Sequence, residues 1–238
     1  MIRCAIFDAD GTLLDSMPMW NAITYEYAGR KGISVPPDLH LTMNRLDMLG
    51  CAALYQELGV SESLSDIVRE LGELALEGYR DKVQEKPNAR RFLALLRENR
   101  IPVAVATASD RQGVESALSR LGMLPYVGCF LTCGEVGKSK DHPDVFLRCA
   151  EKFGASPQES VVFEDSPHAV KTAKDAGFSV VAVEDLLPGQ QPEERRQELS
   201  ALADFYLADF EELIGRLLPA EDLSQELYDL VRSPGEEG

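Results

Sequence analysis

Apolar runs of four to six residues recur along this chain, and most are followed by a turn signal and a segment of helical period. Residues 2–7, 101–106, 127–131, 160–163 and 179–183 read as strands buried on both faces. Such strands lose the in-and-out alternation and become nearly continuous apolar stretches, as in parallel sheets. Between them, 110–121 carries Val114, Leu118 and Leu121 on one face and stops at Gly122. Residues 143–153 begin with Pro143 and end before Gly154, and 166–176 has Pro167 in its first turn and Gly177 after its last. Proline at the start and glycine just past the end are helix punctuation. Strand–helix alternation with these stops predicts an α/β, doubly wound parallel sheet.

The stretch from 17 to about 83 breaks this alternation. Trp20, Ile23 and Tyr27, then Leu54 and Leu58, then Ile67, Leu71, Leu74 and Leu76 follow a helical period, and no strand pattern intervenes. The simplest organisation is an all-helical insert, 17–84, within an α/β core made of 1–16 and 85–218, with a C-terminal helix and tail over 219–238. The linkers fall near 16–18 and 84–87. Residues 184–197, rich in Pro, Gln and Glu, read as an exposed loop with at most a turn of helix, and 203–207 as a short edge strand.

Charge and cysteine content narrow the function. A net charge of −16 argues against a nucleic-acid partner, which would want a basic face, and means that an anionic substrate must be drawn in by a local positive site. The five cysteines are scattered and odd in number, which fits reduced thiols better than a disulfide or zinc framework. The first apolar run is too short for a signal segment and no run approaches the roughly 20 residues of a membrane span. These features predict a soluble, cytoplasmic protein without a membrane partner, as monomer or homodimer.

The chemistry gathers at strand ends. Asp8 and Asp10 follow the first strand directly, and Gly11-Thr12 comes where the chain must turn. Thr107, Ala108 and Ser109 follow the strand at 101–106, Glu164-Asp165 follows that at 160–163, and Lys138 and Lys140 are two candidate ammonium groups in a loop on the same side. Ligands of open α/β sheets bind at those ends. A nucleophilic carboxylate, a proton shuttle, hydroxyls, an ammonium and metal-binding carboxylates make a sensible kit for phosphoryl transfer, which demands mostly positioning and charge neutralisation.

The run Asp8-Ala9-Asp10-Gly11-Thr12-Leu13 resembles the first motif of the haloacid dehalogenase-like (HAD) hydrolases, most of which are magnesium-dependent phosphatases with an aspartate nucleophile. The other sites follow in the family's order. The resemblance implies a Rossmann-like core with a helical cap inserted after the first motif. It implies Asp8 as nucleophile and Asp10 as general acid and base. It implies Mg2+ held by Asp8, Asp165 and the main-chain carbonyl of Asp10, with Glu164 as an outer partner or alternative ligand. Gly11, Thr107, Ala108 and Ser109 would bind the substrate phosphate. Pro143 and Asp144 fix the register that selects Lys140 over Lys138, although Asp141 stands where the family usually has proline. In the cap, Trp20 and Arg45 are candidate specificity residues, but the usual glycine of that loop is missing. The implied substrate is a small phosphorylated metabolite, hydrolysed as a phosphate monoester. The rival is a phosphomutase of the β-phosphoglucomutase type. Dehalogenation fits poorly, because relatives with that activity lack an acid at the position of Asp10.

Overall fold

The computed structural model describes residues 1–43, 46–186, 191–218 and 221–232. It divides into two compact units, 1–15 with 84–238 and 16–83.

In the first unit six strands form one sheet: β1 (Cys4–Phe7) and, passing over a two-residue ribbon, β4 (Val103–Thr107), β5 (Val127–Thr132), β6 (Ser160–Glu164), β7 (Ser179–Val183) and β8 (Phe205–Leu207). The ribbon pairs β2 (Leu14–Asp15) with β3 (Gln84–Glu85) antiparallel, so the two segments leading to and from the helical unit are tied side by side. The sheet order is β5-β4-β1-β6-β7-β8, and every pairing in it is parallel. The chain runs outward from β1 to β5, then returns to β6 on the other side of β1. The carboxyl end of β1 therefore lies at the switch point where such sheets bind ligands.

Both faces of the sheet are covered, which is why its strands read as unbroken apolar runs. On one face Phe7 stacks on Phe163, its register partner, with ring centroids 4.3 Å apart. Phe92 of α5 (Ala89–Glu98) and Phe210 of α11 (Phe210–Leu217) close that cluster. On the other face Ile6, Ala104 and Val162 pack with Phe146 of α8 (Asp144–Lys152) and Val170 of α9 (Pro167–Asp175). Between strands also lie α6 (Arg111–Arg120), whose N-cap Asp110 accepts from the amide of Gln112 at 2.8 Å, and the short α7 (Cys133–Val136). All five cysteines are free.

The regular elements among the second unit's described residues are all helices: α1 (Met17–Arg30), α2 (Leu39–Met43), α3 (Met48–Glu57) and α4 (Leu64–Asp81). The Asp47 and Ser63 side chains cap α3 and α4. The buried face of α4 is Ile67, Leu71, Leu74, Ala75, Gly78 and Tyr79; Leu76, expected on that face, turns aside and is half-buried. Gly78 leaves room for Met19 where α4 meets α1; a Cβ there would stand 2.1 Å from Met19 Sδ and force that side chain to move. Trp20 is half-buried, edge-on to Tyr79 at 6.2 Å. Among the described residues no helix is long and apolar enough to cross a membrane.

One expectation fails clearly. The segment expected as an exposed loop to residue 197 contains α10 (Pro192–Ser200), while residues 187–190 lie outside the described ones. Its composition is polar because only two of its side chains, Arg195 and Leu199, are buried. These are one helical turn apart, so a single narrow contact line suffices and leaves no apolar stripe to read. The terminal helix is α12 (Leu223–Leu230), and residues 233–238 of the tail lie outside the described ones.

Candidate active site

The parallel register brings the predicted strand ends to one edge. Phe7 is level with Val105 and Phe163, so Asp8, Thr107 and Glu164 emerge within a residue or two of one another. The amide of Asp8 donates to the carbonyl of Phe163 at 2.9 Å, extending the ladder by one bond beyond the strand. The chain then turns back at once: the amides of Leu13 and Leu14 both reach the carbonyl of Ala9, and Gly11 N–H donates to Leu14 O at 2.8 Å. Gly11 has φ +86°, and a Cβ on it would stand 2.8 Å from Cγ of Asp165. Only glycine lets that carboxylate lie against the turn. Gly11, expected at the phosphate, is thus placed at Asp165.

Lys140 is 6% exposed, and its ammonium donates to Asp8 Oδ1 and, at 2.7 Å, to Glu164 Oε2. Lys138 instead pairs with Asp144 at the start of α8, at 2.9 Å and half exposed to solvent. His142 is exposed. The other oxygen of Glu164 accepts the amide of Ser166 at 3.0 Å. Thr107 is fully buried and its Oγ1 accepts the amide of Ser109 at 3.0 Å; Ser109 Oγ donates to Asp10 Oδ2 at 2.6 Å. Ala108 between them is exposed. Trp20 belongs to the helical unit, and Arg45 lies outside the described residues.

Asp8, Glu164 and Asp165 each offer an oxygen within 4.8 Å of the others. The carboxylate of Asp10 is not in that group; it is turned to Ser109. Burial pushes the Asp8 carboxyl up to about 8, and the charges of Glu164 and Asp10 add to this against the pull of Lys140. Asp165 is raised as well, by burial first and then by Glu164 and Asp8. Burial works against the Lys140 charge, but Asp8 and Glu164 outweigh it and hold its pKa above the ordinary value. One ammonium therefore faces three carboxylates, which when all ionised leave an excess of two negative charges in a desolvated place. A divalent cation with oxygen preference fits that deficit and that donor set. Both oxygens of Glu164 are engaged by protein donors, so Asp8 and Asp165 are the better ligands and Glu164 the bracket that fixes Lys140.

Two charged groups at this edge carried no signal in the sequence. Arg195, in the segment taken for a loop, donates from Nη2 to the main-chain oxygen of Asp165 at 2.8 Å. Lys86, just after the ribbon, donates to the carbonyl of Glu184 at 2.8 Å and pairs with buried Asp185 at 3.0 Å.

Comparison with known proteins agrees with this fold. A family model described as a haloacid dehalogenase-like hydrolase matches residues 2–177. The chain belongs to that family and is a hydrolase. It is 30% identical to the fructose-1-phosphate phosphatase YqaB of Escherichia coli strain K12, over 75% of this chain and 94% of that one. It is 27% identical to hexitol phosphatase B of the same organism, over 90% of this chain and 96% of that one. Among solved structures, a β-phosphoglucomutase from Clostridium difficile superposes with TM-score 0.73 over 96% of this chain and 98% of that one, at 18% identity. That likeness shows the shared fold, a Rossmann-like core.

Proposed function

We propose that this protein is a cytoplasmic, magnesium-dependent phosphatase that hydrolyses a small phosphate monoester through an aspartyl-phosphate on Asp8. The observation that carries this reading is the contact of Lys140 with both Asp8 and Glu164, beside Asp165 and at the switch point of the sheet. A carboxylate that is to meet a phosphate needs its own charge offset first, and this company supplies that.

Asp8 attacks the phosphorus, and the bond to the ester oxygen breaks as the Asp8–phosphorus bond forms. Asp10 gives its proton to the departing oxygen, then takes one from the water that attacks the phosphoenzyme and frees Asp8. The hydrogen bond from Ser109 holds the Asp10 carboxyl in place for both transfers. Lys140 keeps Asp8 oriented and lowers the repulsion that an incoming phosphate meets. Thr107, with the backbone of Ala108, is the donor assigned to the phosphate oxygens; Ser109, expected there too, spends its amide on Thr107 Oγ1 and its hydroxyl on Asp10. Asp8 and Asp165, with the carbonyl of Asp10, would hold the magnesium ion, which supplies charge neutralisation between phosphate and carboxylate. Substrate choice is assigned to the helical unit, Trp20 included.

The test is a phosphate-release screen with and without magnesium, in which the names of the relatives put sugar and sugar-alcohol phosphates first. Turnover that needs magnesium and releases phosphate supports the reading. Conversion of a sugar 1-phosphate to its 6-isomer without phosphate release would make the enzyme a mutase, and no turnover of any ester would defeat both.

A further inference from the structure

We propose that Arg195 is a positioning residue for the metal site, acting on Asp165 through the main chain. This rests on the metal-dependent reading above. The Arg195 side chain is 9% exposed and its Nε is buried without a hydrogen-bond partner. Burying a guanidinium is costly unless its donors are used. Two of its donors are used: Nη1 meets the exposed Glu198 at 3.1 Å, and Nη2 meets the carbonyl of Asp165 at 2.8 Å.

That second contact has a counterpart on the same peptide unit. The Asp165–Ser166 peptide has its carbonyl gripped by Arg195 and its N–H gripped by Glu164 Oε1 at 3.0 Å. A peptide is planar, so holding both ends fixes its orientation and with it ψ of Asp165. The carboxylate of Asp165 meanwhile lies against Gly11, where a Cβ would stand 2.8 Å from its Cγ. The result is a clamp on a residue that would otherwise sit in a free turn between β6 and α9. Arg195 is itself located firmly, because Leu199, one turn along α10, is fully buried in the core of the sheet's second face. The polar helix α10 thus serves to bring one guanidinium to one carbonyl. Through Glu164 the same peptide is linked to Lys140 and so to Asp8.

Magnesium binding to the purified protein, followed by calorimetry, tests the inference without reference to activity. Arg195→Met should raise the Kd for magnesium about ten- to a hundredfold, as loss of outer partners does elsewhere. At saturating magnesium its KM for substrate should stay within about threefold of wild type. Arg196→Met, an exposed neighbour, should bind magnesium as wild type does. A folded Arg195→Met protein with wild-type magnesium affinity would overturn the inference. If that variant does not fold, Arg195→Lys decides: it keeps the charge but loses the fork, and should raise Kd by at least about threefold, with an unchanged Kd overturning the inference. If wild type itself binds no magnesium, the metal reading falls and takes this inference with it, so the two failures are told apart by the wild-type titration alone.

Discussion

Lys140 Nζ lies 2.7 Å from Glu164 Oε2 while also donating to Asp8, so one buried ammonium is shared between two buried carboxylates. Removing it should be costly twice over. Lys140→Met should destabilise the metal-free protein by about 3–5 kcal/mol at pH 8, the usual cost of leaving a buried charge unpaired. The loss should shrink at pH 5, where the carboxylates take up protons. Turnover should fall by about two to three powers of ten. Urea unfolding at the two pH values and steady-state kinetics check both; equal losses at both pH values would contradict the charge argument.

Metal removal should expose the excess negative charge as a pH dependence. The Asp8 carboxyl is raised from 3.8 to about 8, so the folded state holds a proton that the unfolded state has lost across that window. Stability contributed by such a group is present below the unfolded value and is lost as pH rises through the folded one. Asp165 is raised too and works in the same direction. Protein in chelator should therefore melt at a lower temperature at pH 8 than at pH 5.5, and saturating magnesium should reduce or abolish the difference. A melting temperature that climbs from pH 5.5 to 8 in chelator would count against the proposed charge balance.

Gly11→Ala separates the turn from the rest of the fold. Its φ of +86° costs a side chain about 1–2 kcal/mol, which the domain can bear. The new methyl would also press on Asp165, 2.8 Å from its Cγ. Magnesium affinity and turnover should drop by tenfold or more while the protein still folds cooperatively. A variant that lost stability and kept wild-type magnesium affinity would show that Gly11 serves the turn alone.

The sheet and the edge that carries the candidate site were legible because β1, β4, β6 and β7 are buried throughout and Asp8, Thr107 and Glu164 stand at strand ends, whereas the edge strand β5 is only partly buried and Lys140 lies in a loop beyond it. Asp8 and Glu164 are brought level by parallel register, which converts strand ends into neighbours, and Lys140 reaches both from a loop 132 residues beyond Asp8. Lys140 over Lys138 is what the family resemblance implies once its pattern is set on Pro143 and Asp144, and the structure buries the one and leaves the other at the surface. What the sequence hid shares one cause: contacts made by a few isolated side chains. Helix α10 buries only Arg195 and Leu199, so no stripe announced it. The β2–β3 ribbon is two residues on each side, too short for any alternation. The partners of Arg195 and Glu164 at the Asp165–Ser166 peptide are main-chain atoms, which no residue type encodes.

Asp8→Asn is isosteric and removes a buried charge that burial already disfavours. The variant should fold, with a melting temperature in chelator equal to or above wild type, and its turnover should fall by several powers of ten because an amide cannot form the phosphoenzyme. Activity above about a tenth of wild type would remove Asp8 from its role.

The most direct test of covalent catalysis is to trap the intermediate. Enzyme and magnesium are mixed with a phosphate ester labelled in the phosphoryl group, quenched in acid during the first turnover, and digested for peptide mapping. The predicted result is transient label on the peptide holding residues 4–11, assigned to Asp8, formed faster than phosphate is released and absent from Asp8→Asn. Label on another side chain, or steady release of phosphate in the first turnover with no labelled protein, would contradict it.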